Sequence, residues 1–574
     1  MNSHLRWSSH LLRSFYDQGI RHAVISPGSR STPLTIAAAI HGGFKKTVVI
    51  DERSAAFIAL GIGKTTGKPA ILICTSGTAG VNYMPAVVEA RESGVPMIIL
   101  TADRPPNQRG IGSSQTIDQI KLYGGKEVFF HEAGEPRDSD NDLDRLGYLA
   151  RQAAEESVRI GGAAHINLPF RKPLEPSADD IEEQISLNQK QVTNLKTSDG
   201  KPLRRTLHLS STAVDLLNKS EKPLIIAGPA NPHHALQNIF DTISQQLNAP
   251  VIAEPGSSIE TGNSLTINRY EQILRVKSFV NEKKPDLVIR FGDQPFTKSL
   301  LNAFEYWHKE KVPVLHFSAR NASQDQAMSV TEKIVCSPYD QLSADNLEPS
   351  DRSSTWLASW KDADQATETI LNKAVEGNKG LSDGHVLNVL SEKVPSDWNV
   401  MLSNSFIPRD MALFGRPNKH QAVNRGTAGI DGILSTAIGI HSASERSTLC
   451  IIGDIAFLHD SNALLSLRNV DRPFVVAVLN NGGGNIFRML PVYQHGDYYT
   501  QYFETPQNVS FEYLARAHNL NFEVVESLED LHSLNLQSVE GVQIIECRTD
   551  SEISMDMRRK LWDLKYLTKS DSDL

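Results

Sequence analysis

Short apolar runs rich in β-branched residues recur along the chain, and the stretches between them carry apolar residues at helical spacing. In the first block the runs are HAVIS (22–26), TVVID (47–51), AILICTS (70–76) and MIILTAD (97–103), separated by STPLTIAAAI, ERSAAFIALGIGK and GVNYMPAVVEARES. A strand that is apolar throughout has to be covered on both faces, so the alternation predicts a parallel sheet with helices on either side. Right-handed crossovers make such a sheet doubly wound.

The pattern restarts twice. PLIIAGPA (223–230), PVIAEP (250–255), DLVIRFGD (286–293) and VPVLHFSA (312–319) form a second set of runs, and NVMLS (399–403), TLCIIGD (448–454), FVVAVLNN (474–481) and VQIIECRT (542–549) a third. Between the sets lie polar stretches without sustained period, 174–205 and 347–354, which read as connections. The predicted fold class is α/β, with three doubly wound parallel-sheet domains. Their limits fall at 1–175, 206–350 and 351–574, with a linker at 176–205. No repeat and no low-complexity tract interrupts them.

Composition narrows the function classes. The 574 residues include 58 basic against 67 acidic ones, a formal charge of -9, so no overall field recruits nucleic acid or an anionic membrane. No apolar run approaches the roughly 18 residues of a membrane span, and the first twenty residues lack an apolar signal core. Cys74, Cys336, Cys450 and Cys547 are scattered without metal-ligand spacing and read as buried thiols in a reducing compartment. A cytoplasmic protein is expected. Gly63-Lys64-Thr65 suggests a nucleotide triphosphate loop, but the required upstream glycine is Ile58.

The chemistry concentrates where strands end. In an open α/β sheet ligands bind outside the carboxyl ends of the strands. Gly453-Asp454 closes one apolar run of the third block and Asn480-Asn481 closes the next, so one crossover brings Asp454 and Asn481, 27 positions apart, to the same edge. A carboxylate, an amide oxygen and the carbonyls of the following Gly482-Gly483-Gly484 form a hard-oxygen set suited to Mg²⁺. The glycines let a diphosphate approach the backbone. Taken singly, an Asp there more often caps a helix, and a Gly-rich loop is more often a plain turn.

This Gly-Asp and Asn-Asn pairing resembles the thiamine diphosphate motif. The resemblance assigns Mg²⁺, or Mn²⁺ in its place, to Asp454, Asn481 and the carbonyl of Gly483; Ile455 replaces the usual second glycine. Thiamine chemistry also requires a carboxyl that bonds the cofactor pyrimidine, and Glu52 in VVIDERSAAF is the candidate. Alone, Asp51-Glu52-Arg53 would be an ordinary helix start. ISPGSRSTPL (25–34), DERSAAF (51–57), TSGTAGVNYMPAVVEA (75–90), LTADRPP (100–106), NRGTAGIDG (424–432), GDIAFLHDSNAL (453–464) and NNGGGNIF (480–487) together are similar to the menaquinone-pathway family that makes 2-succinyl-5-enolpyruvyl-6-hydroxy-3-cyclohexene-1-carboxylate.

That family decarboxylates 2-oxoglutarate on thiamine diphosphate and adds the four-carbon product to isochorismate. Both substrates carry carboxylates, and Arg30, Arg104, Arg409 and Arg425 all follow strand-like runs, where guanidinium forks suit bidentate binding. Each alone would be an ordinary surface Arg. By resemblance Ser29, Gln115, Lys298 and Ser405 join these arginines as substrate contacts, and Ile486, Phe487 and Leu490 form an apolar wall. Ile430 corresponds to the residue that props the cofactor into its bent shape. Ser114 and Ser299 depart from the family pattern beside Gln115 and Lys298. The N-terminal block would bind the pyrimidine and the C-terminal block the diphosphate and metal, with the Glu52-bearing block of one copy facing the metal-bearing block of another in a homodimer or homotetramer. The alternatives are another thiamine-dependent 2-oxo acid decarboxylase, or a non-catalytic regulatory subunit that keeps the fold for ligand sensing.

Overall fold

In the computed structural model, which describes residues 2–564 apart from 138, 193–204, 262, 263, 344, 348–353 and 417, the three sets of apolar runs form three sheets. The first contains β1 (His22–Ile25), β2 (Lys45–Val48), β3 (Ala70–Cys74), β4 (Met97–Asp103), β5 (Phe129–Glu132) and β6 (Ala163–Pro169), in spatial order 2-1-3-4-6-5. The next strands, β7 (Thr206–Leu207) and β13 (Gln341–Leu342), pair only with each other. Between them β8 (Pro223–Ala227), β9 (Val251–Ala253), β10 (Leu287–Phe291), β11 (Val314–Ser318) and β12 (Glu332–Val335) make the second sheet in order 12-11-10-8-9. The third holds β14 (Asn399–Leu402), β15 (Gln421–Val423), β16 (Thr448–Gly453), β17 (Phe474–Asn480), β18 (Asn521–Val525) and β19 (Val542–Arg548), in order 15-14-16-17-19-18. Counted from its own first strand, the third sheet repeats the strand order of the first. Every pairing in the three is parallel.

Burial explains why these runs lack the alternation of a half-exposed strand. In the second sheet Leu224, Ile226, Val288 and Val314 face one core, with Phe304, Trp307 and Trp360. Their neighbours Ile225, Ala227, Ile289 and Leu315 face another, with Ile239, Phe240 and Ile243. Successive side chains alternate between faces, and each face needs its own apolar layer.

The strands not anticipated from the sequence interrupt that rule. β6 reads AAHINLP, with two polar residues in a fully buried strand. They are accommodated by a network in which the Thr101 hydroxyl lies 2.7 Å from His165 Nε2 and donates to Asn167 Oδ1 at 2.8 Å, while Asn167 Nδ2 donates to Asp103 at 2.8 Å. Burial pushes the His165 pKa down to about 3, so the ring is neutral. β5, β12 and β18 are edge strands, only partly buried. The expected linker contains a helix, Ala178–Val192, that its polar composition concealed; residues 193–204 of it, and 348–353 of the second polar stretch, lie outside the described residues. All four cysteines are free and buried. Among the described residues no helix is long and apolar enough to cross a membrane.

By contact the chain divides into two compact units, one of Met1–Lys201, Asn424–Glu445 and His459–Asn469, the other of Pro202–Val423, Arg446–Leu458 and Val470–Leu574. Within the first, the helices Glu52–Thr66 and Ile433–Ala443 cross in backbone contact at Gly61 and Gly439. A Cβ on Gly439 would lie 2.1 Å from the Ile58 carbonyl oxygen. Gly439→Ala therefore gains about 0.5–1 kcal/mol of helix propensity but forces the crossing apart at a cost of about 1–3 kcal/mol, so the overpacking wins. The predicted outcome is a lower thermal midpoint for Gly439→Ala and a still lower one for Gly439→Val; midpoints equal to wild type would show the crossing to be soft.

Candidate active site

The strand order of the third sheet reverses between β14 and β16, and its carboxyl edge gathers the predicted residues of the second unit other than Lys298. β16 and β17 pair with Gly453 opposite Leu479, so both chains leave the sheet at the same level. Asp454 follows at once and is buried; its Oδ1 accepts from the Ile455 N–H at 2.8 Å and its Oδ2 from the Gly483 N–H at 2.7 Å. The predicted convergence of Asp454 with the Asn481–Gly483 loop is therefore met by a direct hydrogen bond. Burial, reinforced by nearby Asp383, pushes the Asp454 pKa up to about 6 against the pull of those backbone donors.

The amide of Asn485 marks where oxygens converge. Its Nδ2 donates to the Asn481 carbonyl at 2.7 Å and to Asn481 Oδ1 at 2.8 Å, and lies 3.4 Å from the Gly483 carbonyl. Asn481 Oδ1 and the Gly483 carbonyl thus point at one electropositive group, and Asp454 adds a carboxylate through the same loop. A hard divalent cation fits this donor set. Among the described residues no group of three or more His, Cys, Asp or Glu gathers as a metal cluster, and this set draws on a single carboxylate.

The three glycines have different reasons. A Cβ on Gly483 would stand 2.1 Å from the Glu504 carbonyl, and one on Gly484 2.5 Å from that of Phe503. These two let the chain's own 503–504 segment approach. Gly482, at φ +85°, and Gly453 have open space where a Cβ would be, and there a ligand has room. Beyond the loop, Ile486 and Phe487 are half-buried, the Phe487 ring lies edge-on to Phe503 at 5.8 Å, and Leu490 is exposed.

After β14, Ser405 adopts φ +68°, rare for a residue with a side chain, and its carbonyl accepts a hydrogen bond from Arg409. Arg409 is half-buried, and burial lowers its pKa against the opposing pull of Asp410, Glu271 and Glu254. Lys298 opens the helix Lys298–Lys309 and is exposed, whereas Ser299 is buried with its hydroxyl on Glu271.

In the first unit Glu52 is half-buried at the first position of its helix, capped by Asp51, whose Oδ1 accepts from the Arg53 N–H at 2.9 Å. The other Asp51 oxygen accepts from Asn462 Nδ2 at 2.7 Å, and Arg53 donates to the His459 carbonyl at 2.8 Å, which fastens the helix start. The loop with half-buried Arg425 and Ile430 packs on the same helix: a Cβ on Gly432, at φ +64°, would stand 1.9 Å from the Phe57 ring. Sequence reasoning missed Glu89, a buried carboxylate that accepts from the Gly426 and Thr427 N–H groups at 3.0 and 2.7 Å and from the Thr427 hydroxyl at 2.8 Å. Its one signal was a charge on an otherwise apolar helix face.

At the carboxyl edge of the first sheet Ser29 is exposed and Arg30 buried. Arg30 donates to the Phe170 carbonyl at 2.7 Å, and its buried Nε has no partner among the described residues. Arg104 donates to the Ser76 hydroxyl at 2.8 Å and the Ser114 carbonyl at 3.0 Å, and Gln115, at φ +53°, donates to the Ser76 carbonyl at 3.1 Å. Burial, and then the like charge of Arg104, lowers the Arg30 pKa. Asp103 and Glu175 oppose that shift.

Comparison with known proteins completes the picture. Residues 6–122 match the family described as thiamine pyrophosphate enzyme, N-terminal TPP binding domain, and residues 410–546 its C-terminal TPP binding domain. The 2-succinyl-5-enolpyruvyl-6-hydroxy-3-cyclohexene-1-carboxylate synthase of Gloeothece citriformis is 33% identical over 569 residues, covering 97% of both chains. The synthases of the same name from Oceanobacillus iheyensis and a Nostoc species are 32% and 35% identical, over 97% and 94% of both chains. The chain belongs to this synthase family. The likeness runs through all three sheets.

Within this synthase-family chain one buried acid gives a pH signature. Asp460 accepts from the Ser435 N–H at 2.7 Å and the Ser435 hydroxyl at 3.0 Å, and burial pushes its pKa up to about 7. A carboxyl whose folded pKa exceeds its unfolded one favours folding fully below the unfolded value, about 4. That contribution disappears as pH rises to 7, at no more than roughly 1.4 kcal/mol per pH unit. Asp460→Asn keeps the shape and the acceptor without the charge. It is predicted to unfold at a higher temperature than wild type at pH 8, with the difference closing toward pH 4; a constant difference across that range would assign the pH dependence elsewhere.

Proposed function

We propose that the chain is the thiamine diphosphate-dependent synthase of menaquinone biosynthesis, which decarboxylates 2-oxoglutarate and joins the four-carbon remainder to isochorismate by conjugate addition. The products are 2-succinyl-5-enolpyruvyl-6-hydroxy-3-cyclohexene-1-carboxylate and CO₂. The observation that carries this reading is the hydrogen-bonded juxtaposition of Asp454 with the Asn481–Gly483 loop at a strand-end edge, in a chain alike to such synthases along its whole length.

Asp454, Asn481 and the Gly483 carbonyl would hold Mg²⁺, or Mn²⁺, and with Gly453 the diphosphate of the cofactor. When bound, thiamine diphosphate supplies an acidic ring carbon and an electron sink for the carbon–carbon bond that breaks on loss of CO₂. Glu52 would bond the cofactor pyrimidine and move a proton at its carboxylate. Ile430 would brace the bound cofactor, since a close-packed apolar side chain fixes a ligand's shape. Arg30, Arg104, Arg409 and Arg425, with Ser29, Gln115, Lys298 and Ser405, bind and orient the substrate carboxylates. Ile486, Phe487 and Leu490 exclude water from the reacting atoms.

The working unit in this reading is a homodimer or homotetramer in the cytoplasm, with the Glu52-bearing part of one copy serving the metal-bearing part of another. Exposed apolar residues support it, Val48 and Ile50 beside Glu52, and Met489, Leu490, Tyr498 and Tyr502 beyond the Gly483 loop. The domain limits in this reading are 1–175, 206–350 and 351–574.

Purified protein supplied with 2-oxoglutarate, isochorismate, thiamine diphosphate and Mg²⁺ should release CO₂ and form the coupled product. CO₂ release from pyruvate in preference to 2-oxoglutarate would assign a different decarboxylase. Glu52→Gln should lower turnover by about 10²–10⁴-fold while thiamine diphosphate still binds; undiminished turnover removes Glu52 from the proton path. Arg409→Ala should raise the KM for one of the two acids and leave Mg²⁺ affinity unaltered, whereas loss of Mg²⁺ would show the Arg to be misassigned.

A further inference from the structure

The Asn481 amide is held from behind by a carboxylate that nothing so far assigns. Asp383 is buried at the start of the helix Asp383–Lys393, and its Oδ2 accepts from Asn481 Nδ2 at 3.1 Å. That same oxygen accepts from an Arg558 guanidinium nitrogen at 2.6 Å, and Oδ1 from the Thr549 hydroxyl at 2.6 Å. Thr549 follows β19, and its N–H donates to the Asn480 carbonyl at 3.0 Å. Arg558, buried on the helix Ser551–Trp562, also donates through Nε to Asp410 Oδ1 at 2.9 Å and lies 3.8 Å over the Phe406 ring. Thr549 closes the apolar run 542–549, but the site motifs pointed to none of these residues.

An Asn side chain presents an oxygen at one end and an NH₂ of nearly the same shape at the other, so what faces one end decides what the other offers. An ionised carboxylate only accepts hydrogen bonds. With Asp383 against it, Asn481 turns its NH₂ toward the helix and its Oδ1 toward the Gly483 carbonyl, where Asn485 Nδ2 meets both. Arg558 fills the second acceptor position on Oδ2 and Thr549 one on Oδ1, and together they prevent the carboxylate from turning away. The three buried charges sum to one negative, so removal of the Asp383 charge leaves Arg558 and Asp410 as a balanced pair rather than an isolated ion.

We infer that Asp383, clamped by Arg558 and Thr549, is the positioning residue that presents the Asn481 amide oxygen to the divalent cation. The inference rests on the proposed role of Asn481 as a metal ligand and assigns the group that sets its orientation. Partners behind a metal ligand typically govern affinity by about 10–100-fold.

The test measures Mn²⁺ affinity by electron paramagnetic resonance in the presence of thiamine diphosphate, alongside the thermal midpoint of each metal-free variant. Asp383→Ala should bind Mn²⁺ about 10–100-fold more weakly. Asp383→Asn, which keeps an acceptor oxygen for Asn481 and an amide that can donate to Thr549, should stay within about threefold of wild type. Folded Asp383→Ala with unchanged Mn²⁺ affinity and only a lower midpoint would make the cluster purely structural and overturn the inference. If Asp383→Ala does not fold, Thr549→Val, which removes one clamp without altering charge, should still weaken Mn²⁺ about two- to fivefold; no change overturns it equally. Asp454→Ala separates the two levels: loss of Mn²⁺ there with none in Asp383→Ala refutes only the orienting role, whereas full retention in Asp454→Ala removes the metal assignment and the inference with it.

Discussion

The parallel pairing of β16 with β17 is the contact on which the rest of the candidate site depends. Asp454 and Gly483 meet because Gly453 stands opposite Leu479, and a shift of one residue would separate them. Apolar burial alone specifies that register weakly, because both faces are covered: Leu449 and Ile451 face one core with Val475 and Ala477, while Cys450, Ile452, Val476 and Val478 are equally buried. Polar residues at the carboxyl edge add constraints: the Asp454–Gly483 bond ties the end of β16 to that of β17, and a second pair ties β17 to β19. Asn480 Nδ2 donates to Glu546 Oε1 at 2.6 Å, and Arg548 donates to the other oxygen of Glu546 at 3.1 Å. Glu546 is almost wholly buried, so a slip of β17 against β19 that removed Asn480 would leave a desolvated carboxylate short of a donor. The edge that forms the site also fixes the strands that form the edge.

The repeated strand order of the first and third sheets places two such edges in one chain, and each is finished differently. The third ends in oxygens that suit a cation, with Asp454 and the loop after β17. The first ends in cationic and hydroxyl groups, Arg30 after β1, Ser76 after β3 and Arg104 after β4. Glu52 follows β2, beside them in strand order. In the proposed reading, one edge offers oxygens to a cation and the other guanidiniums to anions, the two kinds of group that a phosphorylated cofactor and carboxylate substrates require.

What the sequence revealed follows from the range of the interactions involved. Strands buried on both faces are continuous apolar words and were readable, as was the arrival of Asp454 and Asn481 at one edge, since a single crossover dictates it. β6 was not readable, because His165 and Asn167 are tolerated only through Thr101 and Asp103 on the neighbouring strand. Glu89 and Asp383 escaped for the same reason: their partners, Gly426 and Thr427 in one case and Asn481 and Arg558 in the other, lie about a hundred residues or more away in the chain. The Gly483 and Gly484 pair shows the reverse case, where a legible motif concealed its cause. The sequence reading gave all these glycines to a ligand, yet these two yield to the chain's own carbonyls at 503 and 504.

The arginines show how structure separates a functional charge from an architectural one. Arg558 is closed by Asp383 and Asp410, Arg109 by Asp103 and Glu132, and Arg488 by Glu504 and Glu552. Their positive charge is spent inside the protein. Arg30, Arg104 and Arg409 are held by neutral oxygens instead: the Phe170 carbonyl, the Ser76 hydroxyl with the Ser114 carbonyl, and the Ser405 carbonyl. A neutral acceptor fixes the direction of a guanidinium without cancelling its charge, so the field it projects remains available to an incoming carboxylate. Burial lowers the pKa of Arg30 and of Arg409 against the pull of nearby carboxylates, Asp103 in one case and Asp410 in the other, so each charge is held at some cost. In the proposed reading, an anion that neutralises either charge would recover part of that cost on binding.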